Sequence, residues 1–314
     1  MAAKIFGLHH ITAISVDAQR NLEFYVKVLG LRLVKRTVNY DDPERYHLVL
    51  GDQTGRAGSL ITLFPRPSAP RGRHGGGQAT ITGLSVPTGA LSFWRPRLRR
   101  AGARHLVDEN VHGADRAVFQ DPDGLLLALV ECEDPRDIVA ADGIPETAAI
   151  RGLHGVTIAQ QSPALLSEIL QGVFGFREQT IERIGSARHC RFVLDQPNAG
   201  GVIDVQIDAN ILRGTEGSGT IHHIALGVET EDEQAEFRER LMQAGLHATE
   251  AIDRYYFRSV YARTPGGILF EVATRGPGFA IDEPLESLGE MLCLPEHLEP
   301  RRAQLLKQLP KLEI

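Results

Sequence analysis

Two stretches decide the fold: GLHHITAISV, from Gly7 to Val16, and TIHHIALGV, from Thr220 to Val228. Each reads as a short strand, apolar and β-branched apart from a histidine doublet near its start. They stand near opposite ends of a chain of 314 residues, so the doublets meet only if distant parts of the chain pair. Two further starts of the same kind lie between them, ITGLSVPT (Ile81 to Thr88) and GLHGVTIA (Gly152 to Ala159).

A helical stretch follows each start. In the first copy it is NLEFYVKVLGLRLV, where Leu22, Tyr25, Val26 and Leu29 fit one apolar face and Gly30 ends the helix. In the others it is Phe93 to Arg100 with its Ala101-Gly102 turn, LLSEILQGVFGFRE, and EQAEFRERLMQAG. Each copy then closes on a strand: SLITLF (Ser59 to Phe64), DPDGLLLALVE (Asp121 to Glu131), GGVIDVQI (Gly200 to Ile207) and TPGGILFEVAT (Thr264 to Thr274). DPDG and TPGG are equivalent hairpin turns. Order and spacing recur four times, which chance does not readily produce. The reading is an α+β chain of four βαβββ modules forming two barrel-like halves.

By position the modules form an N-terminal pair over residues 1–133 and a C-terminal pair over 150–275. A helical tail follows over 276–314, carrying PLESLGEML and HLEPRRAQLLKQL. Asp134 to Thr147 reads as the linker between pairs, and the Pro-, Arg- and Gly-rich run 65–77 as a mobile loop.

The histidines can be sorted by strand alternation. In HHIALGV, His222, Ile224, Leu226 and Val228 form an apolar set suited to lie under a helix. His223, Ala225 and Gly227 form a small-residue set that leaves room for a pocket. His10 and Thr12 take that face in the first module, so one histidine of each doublet is expected in the cavity. In ILFEVAT, Ile268, Phe270 and Val272 share the apolar face, with Glu271 opposite, where a carboxylate is costly unless paired or metal-bound. Two imidazoles and one carboxylate from separate strands match the facial triad of non-heme Fe(II) sites, and equally suit Mn, Ni or Zn. His10, His223 and Glu271 are therefore the candidate ligands, which requires modules one and four to pair around the metal. In the other half, Ser85 and Gly155 are expected in place of the histidines and Ala128 in place of Glu271. A lone strand histidine is more often structural; two doublets at repeat-equivalent places with a cup-facing acid reverse that preference. Arg254 and Tyr261, in DRYYFRSVYARTPGG, suit a surface or core as well as a pocket, and Tyr261 leads directly to the Glu271 hairpin. RPRLRRAGAR reads as a solvated helix face, and Trp94, His74 and His154 as structural.

Composition narrows the partners. Hydrophobic residues make up 42% and charged residues 24%, with a net charge of -6. That balance argues against nucleic acid or an anionic membrane as main partner, since both favour a basic surface. The start MAAKIFGLHHITAI does not read as a signal peptide, and no stretch approaches a membrane span. Cys132, Cys190 and Cys293 are odd in number, widely spaced and without a CxxC, as expected of reduced thiols in a cytoplasmic protein. The sequence is compatible with a homo-oligomer.

At the doublets and the Glu271 strand the chain resembles the vicinal oxygen chelate superfamily, which includes glyoxalase I, fosfomycin-resistance enzymes and extradiol dioxygenases. GLHHITAI, TIHHIAL and DRYYFRSVYARTPGGILFEVAT are similar to the bacterial para-hydroquinone ring-cleaving dioxygenases, and the similarity runs through LGEMLCLPEHLEPRR near the end. The resemblance implies an Fe(II) enzyme that opens hydroquinones with O2, the small aromatic diol and O2 being its partners. It gives the ligand roles to His10, His223 and Glu271, and places His9, His222, Arg254 and Tyr261 beside the ligands or the substrate. Ala262 departs from the pattern, which has an aromatic residue there. A glyoxalase-like isomerase or thiol transferase would carry a further acidic ligand, which Leu63 and its neighbours do not supply. A binding protein that sequesters a small molecule would need no metal at all.

Overall fold

The computed structural model describes residues 3–137, 141–195 and 200–313. Module one comprises β1 (Gly7–Ser15), α1 (Ala18–Glu23), β2 (Arg32–Asn39), β3 (Asp42–Gly51) and β4 (Leu60–Pro65). Module two comprises β5 (Gln78–Val86), α2 (Leu91–Arg100), β6 (Arg104–Val111), β7 (Ala114–Gln120) and β8 (Leu126–Glu131). Module three comprises β9 (Gly152–Gln160), α3 (Ala164–Glu168), β10 (Arg177–Ile184), β11 (Ala187–Val193) and β12 (Val202–Ile207). Module four comprises β13 (Thr220–Val228), α4 (Glu231–Gln243), β14 (Ile252–Asp253), β15 (Phe257–Arg263) and β16 (Leu269–Pro277). The four-fold repeat is thus present, with the expected order of elements.

The strands make two eight-stranded sheets, β14-β15-β16-β13-β1-β4-β3-β2 and β10-β11-β12-β9-β5-β8-β7-β6. Modules one and four share the first sheet, two and three the second, each curled as a half-barrel. Within every module the first and last strands run parallel, β1 with β4 and β13 with β16 in the first sheet. Parallel neighbours need a crossover, which the helix supplies. The modules then join antiparallel, β1 to β13 and β5 to β9. All nine residues of β1 are buried, since helices cover one face and the cup encloses the other. In α4, Thr230 and Glu233 form a reciprocal capping box, and Phe237 and Leu241 are buried. After α1 the chain widens into a π-turn, Phe24–Val28. The turn shifts the apolar face, so Phe24 and Tyr25 are buried while Val26, assigned to that face from the sequence, is 37% exposed.

Strict alternation fails at both doublets. Along the β1–β13 ladder, Leu8 faces Leu226 and His10 faces Ala225, so His9 has no partner. Thr12 faces His223 and Ala13 faces Ile221, so His222 is skipped in turn. Each doublet therefore straddles a bulge, which re-aims a side chain that alternation would send to the other face. In the second half the ladder sets Ile81 opposite Thr157 and Gly83 opposite Gly155. The repeat-equivalent of His223 is accordingly Ile81. Ser85 sits farther along, opposite Gly152, with its hydroxyl on Asp134. Gly155 is the equivalent of His10 as expected, and a Cβ there would lie 2.6 Å from the Val202 carbonyl oxygen. Ala128 pairs with Gly83 as Glu271 pairs with Ala225, so that correspondence holds.

The second cup is filled by an ion pair instead of ligands. Arg191 donates two hydrogen bonds to Asp204, each 2.8 Å, and both residues are buried. Burial pushes the Asp204 carboxyl up, but the Arg191 guanidinium outweighs it and holds the group below its ordinary value.

The run 65–77 does not hang free. Gly72, Arg73 and Gly76 donate backbone hydrogen bonds to Ser218, Thr215 and Leu212. Residues 138–140 of the expected linker lie outside the described residues. Of PLESLGEML only Leu285–Ser287 forms a helical turn, while Glu296–Arg301 and α5 (Arg302–Gln308) carry the second helical stretch. Lys35, wholly buried in β2, ties the tail down through Asp282 and Glu283, at 2.6 and 2.5 Å. Trp94 is buried with its indole nitrogen on the Ala148 carbonyl. Among the described residues no helix is long and apolar enough to cross a membrane.

Asp204→Ala leaves Arg191 buried without its partner. Urea unfolding should show a loss of about 3–5 kcal/mol, with a smaller loss when Arg191→Met is added to it.

Candidate metal centre

The β1–β13 seam brings the two doublets together, and β16, beside β13, adds Glu271. His10, His223 and Glu271 form one cluster, all buried. Their donor atoms make a nearly regular triangle. His10 Nε2 lies 3.2 Å from His223 Nε2, and Glu271 Oε2 lies 3.3 and 3.0 Å from the two nitrogens. Donors about 2.1 Å from a shared ion at right angles to one another stand about 3.0 Å apart, so the spacing fits a facial set.

Hydrogen bonding supports the same reading. Glu271 Oε2 is buried and accepts no hydrogen bond of acceptable geometry, although two ring nitrogens stand within reach. Its other oxygen, Oε1, accepts from the Ser259 hydroxyl at 2.5 Å. Burial pushes the Glu271 carboxyl up, but His10 and His223 together hold it well below its ordinary value, so it is a carboxylate. A buried anion with one oxygen unengaged and two imidazoles turned toward it is a donor set suited to a divalent metal.

The preceding histidines orient the His10 and His223 rings. His10 Nδ1 lies 2.9 Å from His9 Nδ1, and His223 Nδ1 lies 2.8 Å from His222 Nδ1. For Nε2 to offer a lone pair, each ligand must carry its proton on Nδ1 and donate it to its neighbour. Burial, then the adjacent ligand, lowers both neighbours to about 3. They are neutral near pH 7 and able to accept. The two differ in surroundings. His9 is sealed behind the Phe257 ring, centroids 4.9 Å apart, whereas His222 opens onto the cavity.

That cavity measures about 200 Å³ and opens between the two edges of the first sheet. Phe64, Phe257, Phe279 and Val49 give it apolar walls. Arg254 and Tyr261 both line it, along with His222, but His9 does not. The Arg254 Nε donates to the Tyr261 hydroxyl at 3.3 Å, and its NH1 meets Asp41 at 3.2 Å. Burial keeps the Tyr261 phenol protonated far above neutral pH. A second cleft, of about 220 Å³, lies across His222, His223 and Leu269 and carries Arg213 and Arg263. His154, set aside as structural, contacts Cys132 at 3.5 Å in the other half.

Several residues at the site escaped the sequence reading. Ser259 lies two residues before Tyr261 on β15, and alternation could have placed it on the Glu271 side. Thr12 and Thr62 share a hydrogen bond of 2.7 Å, and Thr12 also meets His223 Nε2 at 2.7 Å. Thr62 is the register equivalent of Glu271 in module one, so that slot holds no acid. His47, in YHLVLG, has a register equivalent in His189 of module three, but lies on a middle strand away from the recurring opening and closing motifs.

Loss of the Ser259 hydroxyl leaves both Glu271 oxygens without a hydrogen-bond donor. Ser259→Ala should weaken metal binding about 10- to 100-fold, read by competition against a chelator.

The Glyoxalase/Bleomycin resistance protein/Dioxygenase superfamily model matches residues 7–129. MhqE of Bacillus subtilis (strain 168), which bears the name of a ring-cleaving dioxygenase, is 41% identical over 98% of this chain and 100% of its own length. The chlorohydroquinone/hydroquinone 1,2-dioxygenase of Sphingobium indicum is 33% identical over 98% of this chain and 96% of its own. A solved Bacillus subtilis structure described as a dioxygenase superposes with a TM-score of 0.93, at 38% identity, over 99% of both chains. Glyoxalase I from Zea mays superposes at 0.64 with 12% identity, over 86% of this chain and 92% of its own, and so shares the fold alone. With its paired βαβββ modules and its end-to-end similarity to these relatives, the chain belongs to the Glyoxalase/Bleomycin resistance protein/Dioxygenase superfamily, the vicinal oxygen chelate proteins.

Proposed function

We propose that this protein is an Fe(II)-dependent dioxygenase that opens the ring of hydroquinone-type aromatic diols with O2. The observation that carries the reading is the triangle of His10 Nε2, His223 Nε2 and Glu271 Oε2, with edges of 3.0–3.3 Å, in the wall of an aromatic-lined cavity. An apolar cavity of about 150 Å³ takes one benzene ring, so about 200 Å³ suits a single substituted ring. The names of the relatives point to the same chemistry.

Bound Fe(II) would supply the redox relay between an aromatic ring and O2 and hold both close together. The rest falls to the chain. His10, His223 and Glu271 would hold the ion, and Thr62, bonded to Thr12, adds no fourth acid to that set. That vacant acid slot also weighs against the glyoxalase-like isomerase. Arg254, fixed between Asp41 and Tyr261, offers a positive charge to oxygen that becomes anionic. Tyr261 keeps its proton and donates it to an oxygen in the cavity. His222, with its Nδ1 engaged by His223, carries its proton on Nε2 and donates from there. The phenylalanine walls exclude water from around the reacting oxygens.

Protein purified without oxygen and reconstituted with Fe(II) should consume O2 when given hydroquinone. Glu271→Ala should abolish both iron retention and O2 uptake, and uptake unchanged in that variant would refute the ligand assignment. Tyr261→Phe should lower kcat about 100-fold with KM little altered, measured with the same oxygen electrode.

A further inference from the structure

The cleft of about 220 Å³ beside the donor triangle lies where the two halves meet. One side of it is the start of β5, at Gln78 and Ala79, and the other is β13 with the hairpin before β16. The segment 65–77 and the connection from β12 to β13 are tied together at its base. Gly76 donates its backbone N–H to Leu212 at 2.8 Å, and Gly214 donates to Gly76 at 3.0 Å. A Cβ on Gly77, whose φ is +83°, would stand 2.7 Å from the Gly266 carbonyl oxygen, so glycine lets these loops close on each other. His222, His223 and Leu269 line both this cleft and the aromatic cavity, so the two spaces share one wall.

The cleft is cationic in a chain whose net charge is -6. Arg263 Nη1 donates to the Gly267 carbonyl at 2.8 Å. Arg213 stands over the same glycine, its Nη2 3.6 Å from where a Gly267 Cβ would lie. Neither guanidinium forms an ion pair among the described residues, and Glu216, the acid in the lining, faces Arg66 at 3.9 Å. Two like charges held at one glycine repel each other, and an anion between them relieves that repulsion. A guanidinium also grips a carboxylate through two parallel hydrogen bonds. Gln78 adds a further contact. Its Oε1 is buried with no hydrogen-bond partner, and its carboxamide can turn either end toward a ligand.

We propose that Arg213 and Arg263 form an anion site that takes the carboxylate of the ring-opened product and draws it out of the cavity past His222. This rests on the ring-cleaving reading. Cleavage adds both atoms of O2 to the diol and breaks one carbon–carbon bond of the ring. The diol is oxidised and O2 reduced, and one of the parted carbons ends as a carboxyl, the other as an aldehyde. The carboxyl gives its proton to water, since its ordinary pKa of about 4 lies well below neutral pH. A neutral ring has then become a charged open chain. Apolar walls that suit the ring are costly for a carboxylate, and Arg254 in that cavity is already held by Asp41 at 3.2 Å. The guanidinium pair on the other side of His222 therefore favours product over substrate, so product leaves without competing with the next diol.

The test uses sorbate, an unsaturated carboxylate of product length, and sorbyl alcohol, its uncharged counterpart. Anaerobic calorimetry measures the binding of each to the Fe(II)-loaded protein, for the wild type and for Arg213→Gln combined with Arg263→Gln. The wild type should bind sorbate about tenfold more tightly than sorbyl alcohol, and the advantage should shrink as salt is added. The double variant should bind the two alike. Both arginines are exposed, so it should also melt as the wild type does. Equal affinity in the wild type would overturn the proposal. A preference for sorbate that survives in the double variant would place the carboxylate elsewhere, the metal included, and would overturn it too. In O2-uptake assays sorbate should lower kcat without raising the KM for hydroquinone, because it fills the exit and leaves the substrate cavity open. Purely competitive inhibition would overturn the exit. Sorbate held by the two arginines in a protein that consumes no O2 would keep the anion site and remove the ring-cleaving reading.

Discussion

The antiparallel seam between β1 and β13 is the constraint on which the site depends. It joins the first module to the last and sets His10 against Ala225 and Thr12 against His223. A shift of one residue would turn each histidine to the opposite face. The two bulges make the seam more than a ladder. They bring both members of each doublet into mutual contact, so that one imidazole offers Nε2 inward while its neighbour receives the proton on Nδ1. The same register in the second half, without the histidines, holds a cup closed by Arg191 and Asp204.

The electrostatics of the first cup follow from burial. A carboxylate with no exposure is tolerated because two imidazoles and one hydroxyl face it. The same burial disfavours the charged form of His223 first, so that ring does not readily take up a proton. A buried carboxylate beside such a ring is an arrangement that a divalent cation completes. Arg254 and Asp41 hold a second pair of charges at the mouth, where solvent screens them and where they can meet an incoming ligand.

Much of this was legible in the residues. Repetition revealed the modules, and the demand that His10 and His223 share one ion required modules one and four to pair, as the sheet order has it. What alternation could not reveal was a bulge, because an unpaired residue leaves no mark on periodicity when the strand is apolar on both faces. For the same reason Ser85 was taken for a slot that Ile81 occupies. The π-turn after α1 displaced Val26 by a similar mechanism, one extra residue in a regular count. His47 and Thr37 went unread because they stand on the middle hairpin of module one, away from the opening and closing strands that carry the motifs, although His189 repeats His47 in module three. In the tail HLEPRRAQLLKQL is helical as its sequence suggests, PLESLGEML forms a single turn, and the buried Lys35 holds the segment to the body.

The long separation of His10 from His223 and Glu271 bears on how the protein is made. His10 is translated early, yet its partners on β13 and β16 follow more than two hundred residues later, and Phe279 walls the cavity later still. A ribosome-bound chain that ends before residue 279 therefore has no complete site, whatever else has folded. Meanwhile β1, an apolar strand with β4 on one edge and nothing yet on the other, must wait for β13 while modules two and three emerge and pair with each other. Their early closure along β5 and β9 would leave β1 and β13 projecting from adjacent ends of a finished half, so that the half carrying His10, His223 and Glu271 closes last.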